Sequence, residues 1–359
     1  MMTNLISNAS SVKQKLDQLT NQASSGLVGD TYAGLGGNAT VSLNLRPQIA
    51  NLQTWQSNVD AATGRMGVAQ SALSQIQSIA SNFYAQLNNL SGGDPSEIGT
   101  IASSARDALT QVANLLDTQY GGVYVFAGQD TANPPVPDPN NIANTAVSPF
   151  FAAINTAVSA FDGSTQDAAT TATLTWSAAA SAGGTSPFSS SPSQAVLPIV
   201  QVGQNQMEPV GIPASANGLI PPLSTAGHTV NANFPAASTG SYMRDVMRAL
   251  ATIGSLTSAQ GSVAGFQDLV QDTRTSLSGA VSAMAQDAGA LGQVQSSLTA
   301  EQSHLADTET ALTGQVSSVE DVDMAATLSQ LSQVQVQMQA SYQLISGLSS
   351  LSLVKFLPA

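Results

Sequence analysis

Residues 45–90 read LRPQIANLQTWQSNVDAATGRMGVAQSALSQIQSIASNFYAQLNNL, and the spacing of their apolar side chains decides the fold. Leu45, Leu52, Val59, Met66, Leu73, Ala80 and Leu87 stand seven apart, with Trp55, Ala62, Ala69, Ile76, Phe83 and Leu90 as a companion series. Alternating three- and four-residue steps sustained in this way form the a/d seam of a coiled coil, so the stretch predicts one long helix with a partner. Trp55 and Phe83 belong to the seam and read as core packing rather than ligand contacts. Leu277, Met284, Leu291, Leu298, Leu305, Leu312 and Val319 repeat the seven-residue step in the C-terminal half. The companion positions there are mixed: Val281, Ala288 and Val316 are apolar, Gln295, Gln302 and Glu309 polar. Polar seam residues reduce stability but fix register. At 1.5 Å per residue each helix spans roughly 70 to 80 Å, and matched lengths suit antiparallel pairing, which brings the chain ends together.

Proline marks what lies between. Thirteen of the 16 prolines fall from Pro134 to Pro235. An interior proline costs a helix about 3 kcal/mol, so the flanks are predicted helical and the middle non-helical. The expected fold is mainly α with an inserted β-rich domain, the helices of both chain ends forming an antiparallel coiled-coil or bundle rod. The expected division is a terminal helix and loop (1–40), an N-side rod (41–127), a β-rich outward-facing domain (128–240), a C-side rod (241–318) and a last helix (319–359). Candidate strands in the middle are Ala172 to Trp176, Val196 to Val202 and Val210 to Ile212. Ala168 to Ser193 is otherwise rich in Ala, Ser, Thr and Gly and reads as a long loop or weak edge strands.

Shorter helices flank the middle. Asp94 and Glu97 have capping-box spacing, Pro95 takes the first helical position, and Gly121-Gly122 reads as the stop. The apolar face is Ile98, Ile101, Ala105, Ala108, Val112 and Leu115. Val123 to Phe126 reads as a strand closed by Gly128. Met243, Val246, Met247, Leu250 and Ile253 predict a helix ending at Gly254.

Composition excludes several functions. Charged residues make up 9% of the chain and the formal net charge is -13, with no Lys or Arg between Arg106 and Arg244. Without clustered cations the chain has no means of neutralising phosphates or anionic lipid, so neither nucleic acid nor a membrane surface is an expected partner. No apolar run reaches the length of a membrane span. The start, Met1 to Ile6, has no features of a cleaved signal. There is no cysteine, hence no disulfide or thiolate chemistry, and absence of thiols suits a polymer that must not cross-link out of register.

Each end carries one more apolar stripe: Leu5, Ala9, Val12, Leu16, Leu19 and Ala23 at the start, and Leu328, Leu331, Met338, Tyr342, Ile345 and Leu348 at the finish. A stripe needs a partner. Either the stripes pack on the chain's own helices, or they become ordered only against neighbouring subunits, and the second alternative makes them an assembly interface.

Gln22-Ala23-Ser24-Ser25-Gly26 ahead of a long heptad helix, continued by Leu43, Leu45, Ile49, Leu52 and Asn58, resembles the start of flagellin-type proteins. Val319 to Ala325 resembles the opening of their last helix. Leu351-Ser352-Leu353-Val354-Lys355-Phe356-Leu357 and Gly121 to Gly128 are similar to the hook-filament junction branch of that family, hook-associated protein 3. Leu27 to Tyr32 departs from it, lacking a basic residue and paired acids found there in flagellin. The resemblance implies an extracellular flagellar subunit that forms a ring with copies of itself between hook-side and filament-side subunits. It further implies export through the flagellar type III channel without a cleaved signal, with a chaperone on the C-terminal helix. Filament flagellin is the alternative within the family. A secreted adhesin or carbohydrate-binding module on a helical stalk is the alternative outside it.

No residues assemble into an enzyme site or call for a cofactor. His228 and His304 have no neighbouring ligands in sequence and read as surface histidines. Glu320, Asp321 and Asp323, preceded by Ser317 and Ser318, read as acids that stabilise a helix start. Gly34-Leu35-Gly36-Gly37 lacks the lysine and spacing of a phosphate loop and reads as a turn.

Overall fold

The computed structural model describes residues 2–90, 94–162, 185–217 and 239–354. Its helices are α1 (Met2–Ser25), α2 (Ala39–Leu90), α3 (Pro95–Leu116), α4 (Pro149–Ser159), α5 (Tyr242–Gly254), α6 (Phe266–Glu320) and α7 (Met324–Val354). Two antiparallel hairpins complete the described middle, β1 (Gln119–Tyr120) with β2 (Val123–Tyr124) and β3 (Ile199–Gln201) with β4 (Met207–Pro209). The fold is mainly helical, with long helices from both chain ends and a few small strands between them. The chain divides into two units, Met1–Thr54 with Ser303–Ala359, and Trp55–Gln302.

In the second unit the seam residues of α2 are inside: Val59, Ala62, Met66, Ala69, Leu73, Ile76, Ala80, Phe83, Leu87 and Leu90 are buried, Trp55 half-buried. On α6, Leu277, Met284, Leu291 and Leu298 are buried. One of the polar seam positions is paired across the helices, and a flanking glutamine bridges them too. Gln302 donates to the Asp60 carboxylate, and Gln77 Nε2 reaches the Val281 carbonyl at 3.5 Å. Higher numbers on α2 thus meet lower numbers on α6, which is antiparallel pairing.

α3 begins as its sequence dictates, with Asp94 accepting from Ser96 N at 2.9 Å and Pro95 in the first turn. It ends earlier than expected, at Leu116. Gly121-Gly122, read as the helix stop, instead joins β1 to β2, with φ of +59° and +83°. A hairpin turn with both central residues left-handed needs glycine as much as a helix terminator does. The expected strand is correspondingly short, Val123–Tyr124, and Val125 and Phe126 leave it for the core. Arg65 of α2 fixes the chain from β2 to Gly128: its Nη2 donates to the carbonyls of Tyr124, Val125 and Gly128 at 3.2, 3.3 and 3.2 Å.

α5 fills the centre of this unit. One apolar face was expected, but every residue of α5 except Arg244 is buried, because α3 and α4 both pack on it. Several of its polar groups are paired: Asp245 accepts from Thr239 N at 2.8 Å, Arg248 donates to Ser276, and Arg106 Nη1 caps the Gly254 carbonyl at 2.7 Å.

The middle differs from expectation in two further respects. It contains a helix, α4, started by Ser148 as N-cap, whose hydroxyl accepts from Phe151 N at 3.2 Å, and by Pro149 in the first turn, where a missing amide costs nothing. β3 lies within the expected Val196 to Val202, whereas β4 precedes the expected Val210 to Ile212, where Gly211 at φ +88° breaks the extended chain. Ala172 to Trp176 lies outside the described residues.

Candidate assembly surface

The first unit is built from both ends of the chain. α1 packs against α7. On α1 the predicted stripe is the covered side: Ala9 and Leu19 are buried, and Val12, Leu16 and Ala23 half-buried. Of the two alternatives for the terminal stripes, packing within the chain is seen on this side, where the two terminal helices partner each other. On α7 the covered series is Thr327, Leu331, Val334, Met338, Ser341 and Ile345, of which Thr327 and Met338 are buried and the rest half-buried. Leu328 and Tyr342, read from sequence as part of the same stripe, fall outside it at 51% and 54% exposure. The side chains of Leu5 and Leu348 lie outside the described residues.

The two terminal helices are thus unlike. α1 has one apolar side and its partner covers it. Between Met324 and Val354, α7 has no charged residue, and Met324, Leu328, Val336, Tyr342 and Leu344 are all exposed while α1 takes another side. A helix apolar on more than one side requires more than one neighbour. Sequence reading identified a single stripe and missed this; the absence of any Asp, Glu, Lys or Arg over the helix was the available signal.

The rest of the unit carries the ends of the seam. Leu52 and Leu305 are buried and Leu312 half-buried, and Gln53 Nε2 donates to Glu309 Oε1 at 2.7 Å, so this polar position too is paired across the helices. α2 continues through Pro47, whose ring leaves the Leu43 carbonyl without its helical donor at an exposed position. Gly34 to Gly37 lies in a 3-10 segment, Tyr32–Asn38, that turns at Gly36 with φ +56°.

The acids near residue 320 have separate roles. Asp323 caps α7, accepting from Ala325 N at 2.9 Å and Ala326 N at 3.1 Å. Glu320 does not start a helix; it ends α6, and Arg46 Nε donates to its Oε1 at 2.9 Å while Arg46 Nη2 and Ser42 Oγ complete the cluster. These bonds hold the Glu320 carboxyl below the usual carboxylate range, the Arg46 hydrogen bond first and the Ser42 hydroxyl second. Ser317 and Ser318 lie inside α6, with Ser318 Oγ bonded back to the Gln315 carbonyl at 2.7 Å. His304 is exposed on α6, and His228 lies outside the described residues.

No helix among the described residues is long and apolar enough to cross a membrane. Helices from both chain ends, one of them charge-free and partly uncovered, define a mainly helical protein whose last helix leaves an apolar side open. Residues 1–131 match the bacterial flagellin N-terminal helical region and residues 275–357 the bacterial flagellin C-terminal helical region, together more than half of the chain. The chain belongs to the flagellin-like family: it is a structural flagellar subunit of a family that self-assembles into an extracellular polymer. No curated protein matches it.

Proposed function

We propose that this subunit joins hook to filament, forming a thin ring whose terminal helices pack against copies of the chain and against flagellar subunits on either side. The observation that carries the assembly role is α7: 31 residues without a charge, covered by α1 on one side and exposing Leu328, Val336, Tyr342 and Leu344 elsewhere. Burial of such side chains contributes about 25 cal/mol per Å², against an ordering cost of about 1 to 2 kcal/mol per residue, so several neighbours must act together. The same surface needs cover before assembly, which supports a chaperone on α7 during export. Val12, Leu16 and Leu19 of α1 and Leu331, Met338 and Ile345 of α7 form the remainder of the interface, partly through the pair the two helices make with each other; Leu5 and Leu348 continue the two stripes in sequence. The chain segment 128–240 faces outward in this reading.

The junction position rests on the closing phrase Leu351 to Leu357 and the passage Gly121 to Gly128, both similar to the junction branch. Matches to both flagellin terminal regions keep filament flagellin as the second reading. Gold-labelled antibody on intact flagella separates them. The junction reading expects one narrow band where hook meets filament, and label along the filament would replace it with the filament reading.

A further inference from the structure

Three residues, Asp321 to Asp323, separate α6 from α7, and six, Gly26 to Thr31, separate α1 from the 3-10 segment. These two connections lie antiparallel and are joined by very little backbone. Leu27 pairs with Asp321 as an isolated bridge, Val28 N donates to the Glu320 carbonyl at 2.7 Å, and Val322 N donates to the Gly26 carbonyl at 2.9 Å. Gly26, at φ +74°, makes the turn out of α1, and Gln22 Nε2 closes it onto the Val28 carbonyl at 2.8 Å. Two paired connections of this length would act as a hinge unless a further contact removed their freedom.

Glu320 supplies that contact. Its main-chain oxygen holds the connection from α1, and its carboxylate holds α2 through Arg46 and Ser42. The Glu320 side chain is 11% exposed, although its Arg46 partner is 54% exposed. An ion pair with both partners in water contributes little, but a fork-on-carboxylate pair whose acid is covered has fixed geometry as well as charge. The residues around it are shaped for the same purpose: Leu27, Tyr32 and Leu35 surround the pair, and Gly29 lies so close to Gly34 that a Cβ at Gly29 would be 2.8 Å from the Gly34 Cα.

We propose that Glu320 is a positioning residue: with Arg46 and Ser42 it locks the α1–α7 pair in one direction relative to the α2 and α6 segments of the same unit, and so presents the terminal helices ready for assembly. The last clause rests on the assembly role proposed above; the lock itself does not. Because the chain has no cysteine, spin labels at Lys13→Cys on α1 and Asn51→Cys on α2 report that direction in the intact monomer. The expected result is a single narrow distance distribution in the parent, lost to a broad one in Glu320→Ala and in Arg46→Gln, with helical circular dichroism retained. Arg46→Gln keeps the Glu320 backbone contacts and guards against a general loss of folding. An unchanged narrow distribution in both variants would overturn the lock. Broad distributions with normal polymer formation would overturn its role in assembly and leave the lock standing.

Discussion

The phenol of Tyr120 lies over Gly64, its hydroxyl and Cζ occupying the place where a Cβ on Gly64 would stand. Gly64 is an interior residue of α2, where alanine would be favoured by about 1 kcal/mol on propensity alone. The glycine is therefore there for the tyrosine. In Gly64→Ala the exposed end of Tyr120 must swing away, and loss of its contact should offset the propensity gain, leaving stability within about 1 kcal/mol of the parent. In a Tyr120→Ala background the same substitution should stabilise by about 1 kcal/mol. A denaturation double-mutant cycle measures both, and additive effects would show that the ring does not depend on the missing Cβ.

Gly128 presents the opposite case, because its neighbours are backbone. A Cβ there would come within 2.6 Å of the carbonyl oxygens of both Gln194 and Val196, and φ is +59°. Neither carbonyl can swing away as a side chain does, and Arg65 already holds the Gly128 carbonyl from the other direction. Gly128→Ala should cost about 3 kcal/mol or more, from left-handed strain plus displacement of the 194–196 segment. Thermal unfolding of the variant is the measurement; a shift no larger than that of Gly121→Ala, where nothing lies within 4 Å, would contradict it.

Asp117 closes α3 and accepts from Val136 N at 2.9 Å. Burial outweighs that bond and pushes its carboxyl up to about 6. Since the folded pKa exceeds the unfolded one, the native state holds the proton more tightly between pH 4 and 6. Stability from this group is thus present in acid and lost as pH rises through about 6. The change should be on the order of 1 kcal/mol once solvent screening of a partly exposed group is included. Urea titrations from pH 5 to 7 should show that slope in the parent and a flatter one in Asp117→Asn. Equal slopes would remove Asp117 from the account.

Where one periodic pattern has one structural solution, the sequence sufficed. The seam of α2 is such a pattern, and two of the polar interruptions in the seam of its partner α6 proved to be matched, Gln302 to Asp60 and Glu309 to Gln53. Legibility failed where one local signal serves two structures. Gly121-Gly122 fits a helix stop and a hairpin turn equally, and only the core position of Val125 and Phe126 favours the turn. Ser148-Pro149 is a sound helix start, hidden because the surrounding prolines argued against any helix. Glu320 shows a third kind of failure: its neighbours in sequence explain nothing about it, because its partners are 274 and 278 positions away. The terminal stripes were visible, but a stripe does not name its partner: α1 covers one side of α7, and Leu328 and Tyr342 stand exposed outside it.

Those two sides can be separated by substitution. Met338, 8% exposed, belongs to the side of α7 that is covered, whereas Leu328 and Tyr342 are about half exposed. Met338→Ala should remove buried contacts worth about 2 kcal/mol and accelerate amide exchange along α1 and α7 of the isolated subunit. Leu328→Gln with Tyr342→Gln should leave that exchange unchanged, since exposed substitutions shift stability by no more than about 0.5 kcal/mol. In the polymer the order should reverse. Each outward side chain that gains a neighbour there buries apolar area at about 25 cal/mol per Å², and glutamine forfeits that gain while adding a polar group to bury. Sedimentation of assembled material against monomer should therefore show a higher critical concentration for the double glutamine variant. Normal assembly of that variant, with its monomer intact, would mean that the uncovered side of α7 meets solvent in the polymer, and the assembly surface would have to be sought elsewhere on the chain.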